Sequence, residues 1–289
     1  MINEVNDRLK KIFNFLADDL ELLENELKKG MFSVTENKID LHNVFRYFFD
    51  IKGKRLRPIL VMLSAGSISN SADKDVITKL AAAMELIHNS SLIHDDIVDE
   101  SNHRRGQVTL NHKFNNKIAV LAGDLLYSQA YLIINSLNLT GVSEILSECV
   151  VKMSRSEISE IISPYSNFEE YIQLCDAKTA VLMSACCQCA AKAAGATKTQ
   201  LDSLKDFGTN FGIAYQLTDD LLDNEQPKSF DVNLQLQAKI YAEKARRCLN
   251  DFPENNYKKH LLNLVHYVTD KVNAILPKKT NLTSTSIAN

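Results

Sequence analysis

A chain of 289 residues with 45% hydrophobic composition can bury a sizeable core without disulfide or metal staples. Its formal net charge of -3 gives no bulk basic footprint, and no local basic patch makes up for it, which argues against nucleic acid as a partner. Met1 to Lys11 is charged and amphipathic rather than an apolar leader, and no later run approaches the ~20 apolar residues of a membrane span, so a cytoplasmic protein without a transmembrane segment is expected.

Helical periodicity runs through nearly the whole chain. Leu9, Ile12, Phe13, Leu16, Leu20, Leu23 and Leu27 recur at three- and four-residue steps, and similar stripes return over 76–98, 116–137, 142–162, 168–194, 199–222 and 234–274. The first stripe suits packing into the core by default; a dimer interface or peripheral contact with a membrane surface are the other uses of such a helix. Strand patterning is almost absent. Of nine glycines none follows Gly212, and Pro58, Pro164, Pro227 and Pro253 stand at plausible helix edges. The expected class is therefore all-α, about ten helices in one domain over residues 1–277, followed by a weakly structured tail, 278–289.

The six cysteines lack the spacing of a disulfide framework. Cys186 and Cys189 form a C-x-x-C, but within a run of small residues from Ser184 to Gly195 that reads as a closely packed helix, and zinc would need two further well-spaced ligands. Small reduced core residues are the expectation.

Chemistry enters at Leu92-Ile93-His94-Asp95-Asp96-Ile97-Val98-Asp99-Glu100. On a helix Asp95 and Asp99 are four residues apart and Asp96 and Asp99 three, so three carboxylates are expected on one face. Such a face repels itself unless cations neutralise it. Magnesium suits hard oxygen ligands and completes its octahedron with water and substrate phosphates, which points to a phosphorylated substrate. Taken alone, the run also reads as a solvated acidic helix end. It returns, however, in Gln216-Leu217-Thr218-Asp219-Asp220-Leu221-Leu222-Asp223, again at the C-terminal end of an apolar helix, where the helix dipole disfavours negative charge. Two such helices facing across a cavity would clamp a diphosphate through several magnesium ions. Gly53-Lys54-Arg55-Leu56-Arg57-Pro58 sets cations beside a helix start, and Arg104 and Arg105 follow the first acidic run, supplying forks and point charges for phosphate oxygens.

These runs, together with His88, Arg104-Arg105-Gly106, Leu121-Ala122-Gly123-Asp124, Lys178-Thr179-Ala180 and Tyr215 ahead of the second acidic run, resemble the trans-isoprenyl diphosphate synthases of the polyprenyl synthetase family, and most of all its long-chain, octaprenyl-type members. The resemblance spans most of the chain. It implies a single-domain isoprenoid synthase fold, a helical bundle around a central cavity, in a homodimer. It also implies Mg2+ ligated by Asp95, Asp99 and Asp219, with Asp96, Asp220 and Asp223 supporting the metals. Gly53, Lys54, Arg57, His88 and Arg105 would form the isopentenyl diphosphate site. Arg104 and Lys178 would hold the allylic diphosphate, and Thr179 and Gln216 would border the allylic carbocation. The implied reaction condenses the two diphosphates into a linear trans-polyprenyl diphosphate, for a quinone or a carrier lipid. It needs no protein nucleophile, and His94 is read as a packing residue.

Ser90 and Ser91, one turn before Asp95, are small, with Ile87 and Met84 deeper on the same helix, so an open channel and a long product are expected. One departure stands out. The family continues after its second acidic run with a glycine- and lysine-containing loop and further helix, whereas Asn224–Asn233 leads here straight into a helical pattern, without glycine and with Lys228 as a candidate replacement contact. Two alternatives therefore accompany the synthase: an impaired or regulatory subunit of a heteromeric synthase, and a class I terpene cyclase. The second sits poorly with cations for two diphosphates and with the absence of tryptophan.

Overall fold

The apolar stripes become helices at nearly the expected boundaries in the computed structural model, which describes residues 2–35, 39–49, 53–223 and 232–275. The first stripe forms α1 (Ile2–Phe15) and α2 (Ala17–Thr35), joined through Leu16 with little break: Leu16 N–H donates to Ile12 O (3.0 Å) and Leu20 N–H to Leu16 O (2.8 Å). Then come α3 (Ile39–Phe49), α4 (Leu56–Ile68) and α5 (Lys74–Val98). After the short α6 (Leu110–Lys113) run α7 (Asn116–Ser136), α8 (Val142–Ile162) and α9 (Phe168–Cys175). Last are α10 (Val181–Ala193), α11 (Lys198–Asp223), α12 (Leu234–Cys248) and α13 (Asn256–Ala274). The all-α class holds, with one exception: β1 (His103–Arg104) and β2 (Gln107–Val108) pair antiparallel in a minimal hairpin.

Local chemistry fixes many starts. The side chain of Asp73 accepts from Asp75 and Val76 N–H at the head of α5, and Asn115, Asn167, Asn233 and Asn255 cap α7, α9, α12 and α13 in the same way. Each such cap is worth about 1 kcal/mol relative to alanine. The stretch 234–274, read as one stripe, is divided between α12 and α13 around Pro253. The stretch 168–194 is likewise interrupted, by a π-helical turn over Asp176–Ala180 between α9 and α10.

The centre of the bundle is α5, buried all round in its middle: Leu80, Ala81, Ala82, Ala83 and Met84 are fully buried against α2, α4, α7 and α10. The first stripe of the chain joins this core, with Leu9, Ile12, Leu16, Leu23 and Leu27 buried and α1 lying on α13. Cys186, Cys187 and Cys189 on α10 are also core, free and fully buried, and burial pushes the Cys187 thiol up to about 12, out of the reactive range. A second, smaller cluster of Tyr171, Cys175, Ile213, Leu217, Leu234, Ala238 and Val272 ties α9, α11, α12 and α13 together.

Among the described residues one helix, α7, is long and apolar enough to cross a membrane, which corrects the expectation that no run reaches that measure. It packs along α5, with 33% of its apolar window buried, and leaves Val120, Leu121 and Leu132 outward. The tail 278–289 and Lys228 lie outside the described residues.

Small residues let α10 and α11 touch through their backbones. A Cβ on Gly212 would stand 2.4 Å from Ala180 Cα, and one on Gly208 would stand 2.6 Å from Ser184 Cα. Helix propensity alone would make Gly212→Ala stabilising by ~1 kcal/mol. The clash is with backbone and should win: the variant is expected to lose about 1–3 kcal/mol, read as a lower urea midpoint.

Candidate active site

At the end of α5 the three aspartates do not share one face. Asp95 and Asp99, four residues apart, line a cavity of about 1180 Å³. Asp96, one residue and so about 100° further round, points away from it and is only 4% exposed. Its Oδ1 accepts from Arg104 Nε at 2.6 Å, and Asn111 Nδ2 donates to its carbonyl at 3.1 Å. The expectation of three converging carboxylates is thus corrected to two, with the third as an anchor. Burial, and next the Glu157 carboxylate, raise Asp95 to about 6 against the opposing pull of Lys178 and Arg104.

The end of α11 repeats the division. Asp219 and Asp223 line the same cavity, while Asp220 is buried behind them. Asp220 Oδ1 accepts from Gln216 Nε2 at 2.7 Å and Oδ2 from the Tyr171 hydroxyl. The Thr179 hydroxyl in turn donates to Gln216 Oε1 at 2.6 Å, so the Gln216 amide is fixed at both ends where it borders the cavity. Lys178 and Thr179 belong to the π-turn, a local widening that recurs at functional sites. Lys178 Nζ lies 3.1 Å from Glu157 and 3.2 Å from Glu160, one turn apart on α8. Burial alone would lower its pKa, but these two carboxylates outweigh it and raise it.

The opposite wall is basic. Lys54, Arg57, His88, Arg104 and Arg105 all reach the cavity. Arg105 stands at the tip of the β1–β2 hairpin with φ 53°, a left-handed position unusual for a side-chain-bearing residue, and its guanidinium lies over Gly53, where a Cβ would meet Nη1 at 2.7 Å. Gly53 is thereby explained as room for an arginine. Arg55 turns the other way: almost buried, it bonds Glu24 and Glu85 at 2.8 Å each and ties α2 and α5 to the head of α4. Arg57 Nε and His88 Nδ1 are buried without a hydrogen-bond partner, and both residues line the cavity. Burial, followed by Arg57, Arg105 and Arg104, holds His88 well below its ordinary pKa.

Beyond the charged rim the cavity is lined by Ile87, Val150, Met153, Ile158 and Met183. Ser90 and Ser91 line it as expected, Ser90 donating to Gly123 O at 2.8 Å and Ser91 to His88 O at 2.9 Å. Met84 does not: it is fully buried in the main core. Tyr127, from α7, does, and sequence reasoning missed it because nothing local marks which helix faces α5. It missed Glu157, Glu160 and Lys271 for the same reason, since lone charges on amphipathic helices read as solvated. His94, read as a packing residue, lies against Gly123 of α7 with Nε2 3.2 Å from Val120 O and 3.5 Å from Asp124 Oδ1, but it also lines the cavity.

The architecture is that of the isoprenoid synthases. A decaprenyl diphosphate synthase from Rhodobacter capsulatus superposes with TM-score 0.83 at 24% identity, covering 91% of this chain and 99% of that one. A polyprenyl synthase from Caulobacter crescentus CB15, solved with calcium and isoprenyl diphosphate, gives 0.82 at 23% identity over 90% and 97%. Residues 39–231 match the polyprenyl synthetase family model, and the chain belongs to that family. Curated relatives include the octaprenyl diphosphate synthase of Escherichia coli K12, 38% identical over 219 residues, 74% of this chain and 66% of that protein. Component 2 of the heptaprenyl diphosphate synthase of Geobacillus stearothermophilus is 34% identical over 220 residues, 75% and 67%. The Dictyostelium discoideum decaprenyl-diphosphate synthase is 35% identical over 63% of this chain, and that match covers only 40% of its own length.

The unsatisfied basic wall has a pH signature. Unfolded chain takes up a proton at His88 near the ordinary value of ~6.5 and the folded chain resists it, so His88 leaves stability intact above that value and erodes it as pH falls below. Urea unfolding of His88→Gln from about pH 7 to 5 should show a flatter decline than the parent. Saturating inorganic diphosphate, by offering the ring an anion, should flatten the parent's decline too.

Proposed function

We propose that the protein is a prenyltransferase that condenses an allylic diphosphate with isopentenyl diphosphate, in the presence of Mg2+, to a linear trans-polyprenyl diphosphate. The observation that carries this reading is the composition of one cavity: two aspartates from each of two helices, a set of basic side chains that includes the unpartnered Arg57 Nε and His88 Nδ1, and an apolar lining.

The residues fit magnesium by their chemistry. Asp95, Asp99 and Asp219, with Asp223 in support, are hard oxygen donors that line one cavity. When bound, magnesium supplies positive charge at the departing diphosphate.

The protein's own residues do the rest. Arg104 and Lys178 bind the allylic diphosphate; Lys54, Arg57, Arg105 and His88 hold isopentenyl diphosphate, the last as a neutral donor. The C–O bond of the allylic ester breaks, the isopentenyl double bond attacks the allylic cation, and a proton leaves to the released diphosphate. Thr179 and Gln216, locked by the chain of bonds to Asp220, border the cation with fixed dipoles. The apolar walls exclude water that would capture it. Ser90, Ser91 and Ile87 leave the channel open below Asp95, supporting a long product, with Tyr127 as an aromatic wall from α7.

The outward apolar side chains of α7 and α8, among them Leu121, Leu132, Ile161 and Ile162, support a homodimer. Free thiols at all six cysteines are compatible with a reducing cytoplasm. The reading of an impaired subunit gains no specific support, since aspartates of both acidic helices face the cavity.

Purified protein given labelled isopentenyl diphosphate, an allylic primer and Mg2+ should make a ladder of long prenyl products. Asp95→Ala should reduce turnover by at least ~100-fold; a ladder undiminished in the variant, or absent from the parent, would sink the reading. Ser91→Phe should shorten the products, as resolved by chromatography. In sedimentation, Leu121→Glu combined with Leu132→Glu should shift the protein from dimer to monomer.

A further inference from the structure

We propose that Lys271 is an exchangeable counter-ion for the second acidic helix: its ammonium neutralises Asp219 until a divalent cation binds there, and then passes to a diphosphate oxygen. The inference deepens the reading of the site as a metal–diphosphate centre and rests on it.

Lys271 lies in the last turn of α13, far in sequence from the acidic runs, yet it lines the same cavity as Asp219, Asp223 and Arg57. Its side chain is 14% exposed, and Nζ stands 3.2 Å from Asp219 Oδ1. The rings of Tyr215 and Tyr267 lie beneath the ammonium, 5.5 and 5.1 Å from it, and shield it from bulk water. The backbone that carries it is held from several sides. Val272 is buried in the second cluster, Asp270 receives Arg8 of α1, and Gln235 Nε2 donates to Ile275 O at 3.2 Å.

Asp219 cannot serve this ammonium and a divalent ion equally, because the two cations repel each other and compete for one carboxylate. A metal ion arriving at Asp219 therefore frees Lys271. With its backbone pinned, the freed ammonium keeps its hydrogen bond with Tyr267 but loses the carboxylate that balanced its charge, and a largely buried cation without an opposing charge is costly. The four-carbon stem lets the charge swing within the cavity. The anion within that swing is the diphosphate that the metal recruits. Occupancy by metal and affinity for diphosphate are thereby coupled through one side chain. It reaches the site from the C-terminal helix, whereas the sequence had pointed to the segment following Asp223.

The test measures two affinities in Lys271→Met and Lys271→Arg. Binding of Mn2+ alone, followed by electron paramagnetic resonance, should tighten about fivefold in Lys271→Met, because Asp219 loses its competitor. Binding of inorganic diphosphate at saturating Mg2+, followed by calorimetry, should weaken on the order of tenfold in Lys271→Met and stay within about threefold of the parent in Lys271→Arg, which keeps the charge. Opposite signs for the two ligands are the expected result. A fall in both affinities, an unchanged Mn2+ affinity, or a loss of diphosphate binding in Lys271→Arg equal to that in Lys271→Met would overturn the proposal and leave Lys271 a packing residue. Failure of the parent to bind diphosphate with Mg2+ would instead remove the reading of the site.

Discussion

Like charges aimed at one another are the constraint around which this molecule is built. Two helices, α5 and α11, end in aspartates that face one cavity, and each does so at the end where the helix dipole already concentrates negative charge. Left to relax, such ends would fray or turn outward. Each is held by its own middle aspartate, turned inward to a fixed donor: Asp96 to Arg104, Asp220 to Tyr171 and Gln216. The outer aspartates of each run are thereby presented because the inner one is tied down. Both runs solve the same electrostatic problem in the same way with different partners, a charged guanidinium in one and neutral donors in the other.

The packing elsewhere serves this presentation. Backbone contact between α10 and α11 leaves no slack for the second acidic helix to slide, and the Arg55–Glu24–Glu85 group fixes the head of α4 against α5. A buried arginine with two carboxylates contributes little net stability, since desolvation of three charges offsets much of their attraction. What it does fix is position: it anchors the head of α4, from which Lys54 and Arg57 line the cavity. The unsatisfied Arg57 Nε and His88 Nδ1 are the converse case, buried polar groups left without a partner at a cost to stability.

Much of this was legible in the sequence because it is written in local periods. Most apolar stripes gave helices within a residue or two, prolines marked some of their edges, and the aspartate runs gave the two helices that matter, while 168–194 and 234–274 each hid a break. The side of the helix each aspartate takes was misread, since spacing says which residues share a face but not that a buried partner such as Arg104, eight positions on, will claim one of them. Residues brought in from distant helices were invisible. Glu157, Tyr127 and Lys271 are a charge or an aromatic on an amphipathic stripe, indistinguishable by pattern from their solvated neighbours, and only the packing of α7, α8 and α13 against α5 and α11 sets them in the cavity. The hairpin that carries Arg104 and Arg105 was missed because two-residue strands leave no alternation to detect.

The π-turn at Asp176–Ala180 holds one more residue than an α-helical turn would. Each residue on a helix advances the facing direction by about 100°, so that single extra position sets the angular phase between everything before it and everything after. Upstream lies α9 with Tyr171, which must meet Asp220; downstream lies α10, whose small-residue face must meet α11. Shortening the turn by one residue would leave the chain almost the same length but rotate one of these faces out of contact. The segment thus works as a phase-setting washer between two meshing surfaces, and length changes there act as rotations, where those in an ordinary surface loop would act as slack.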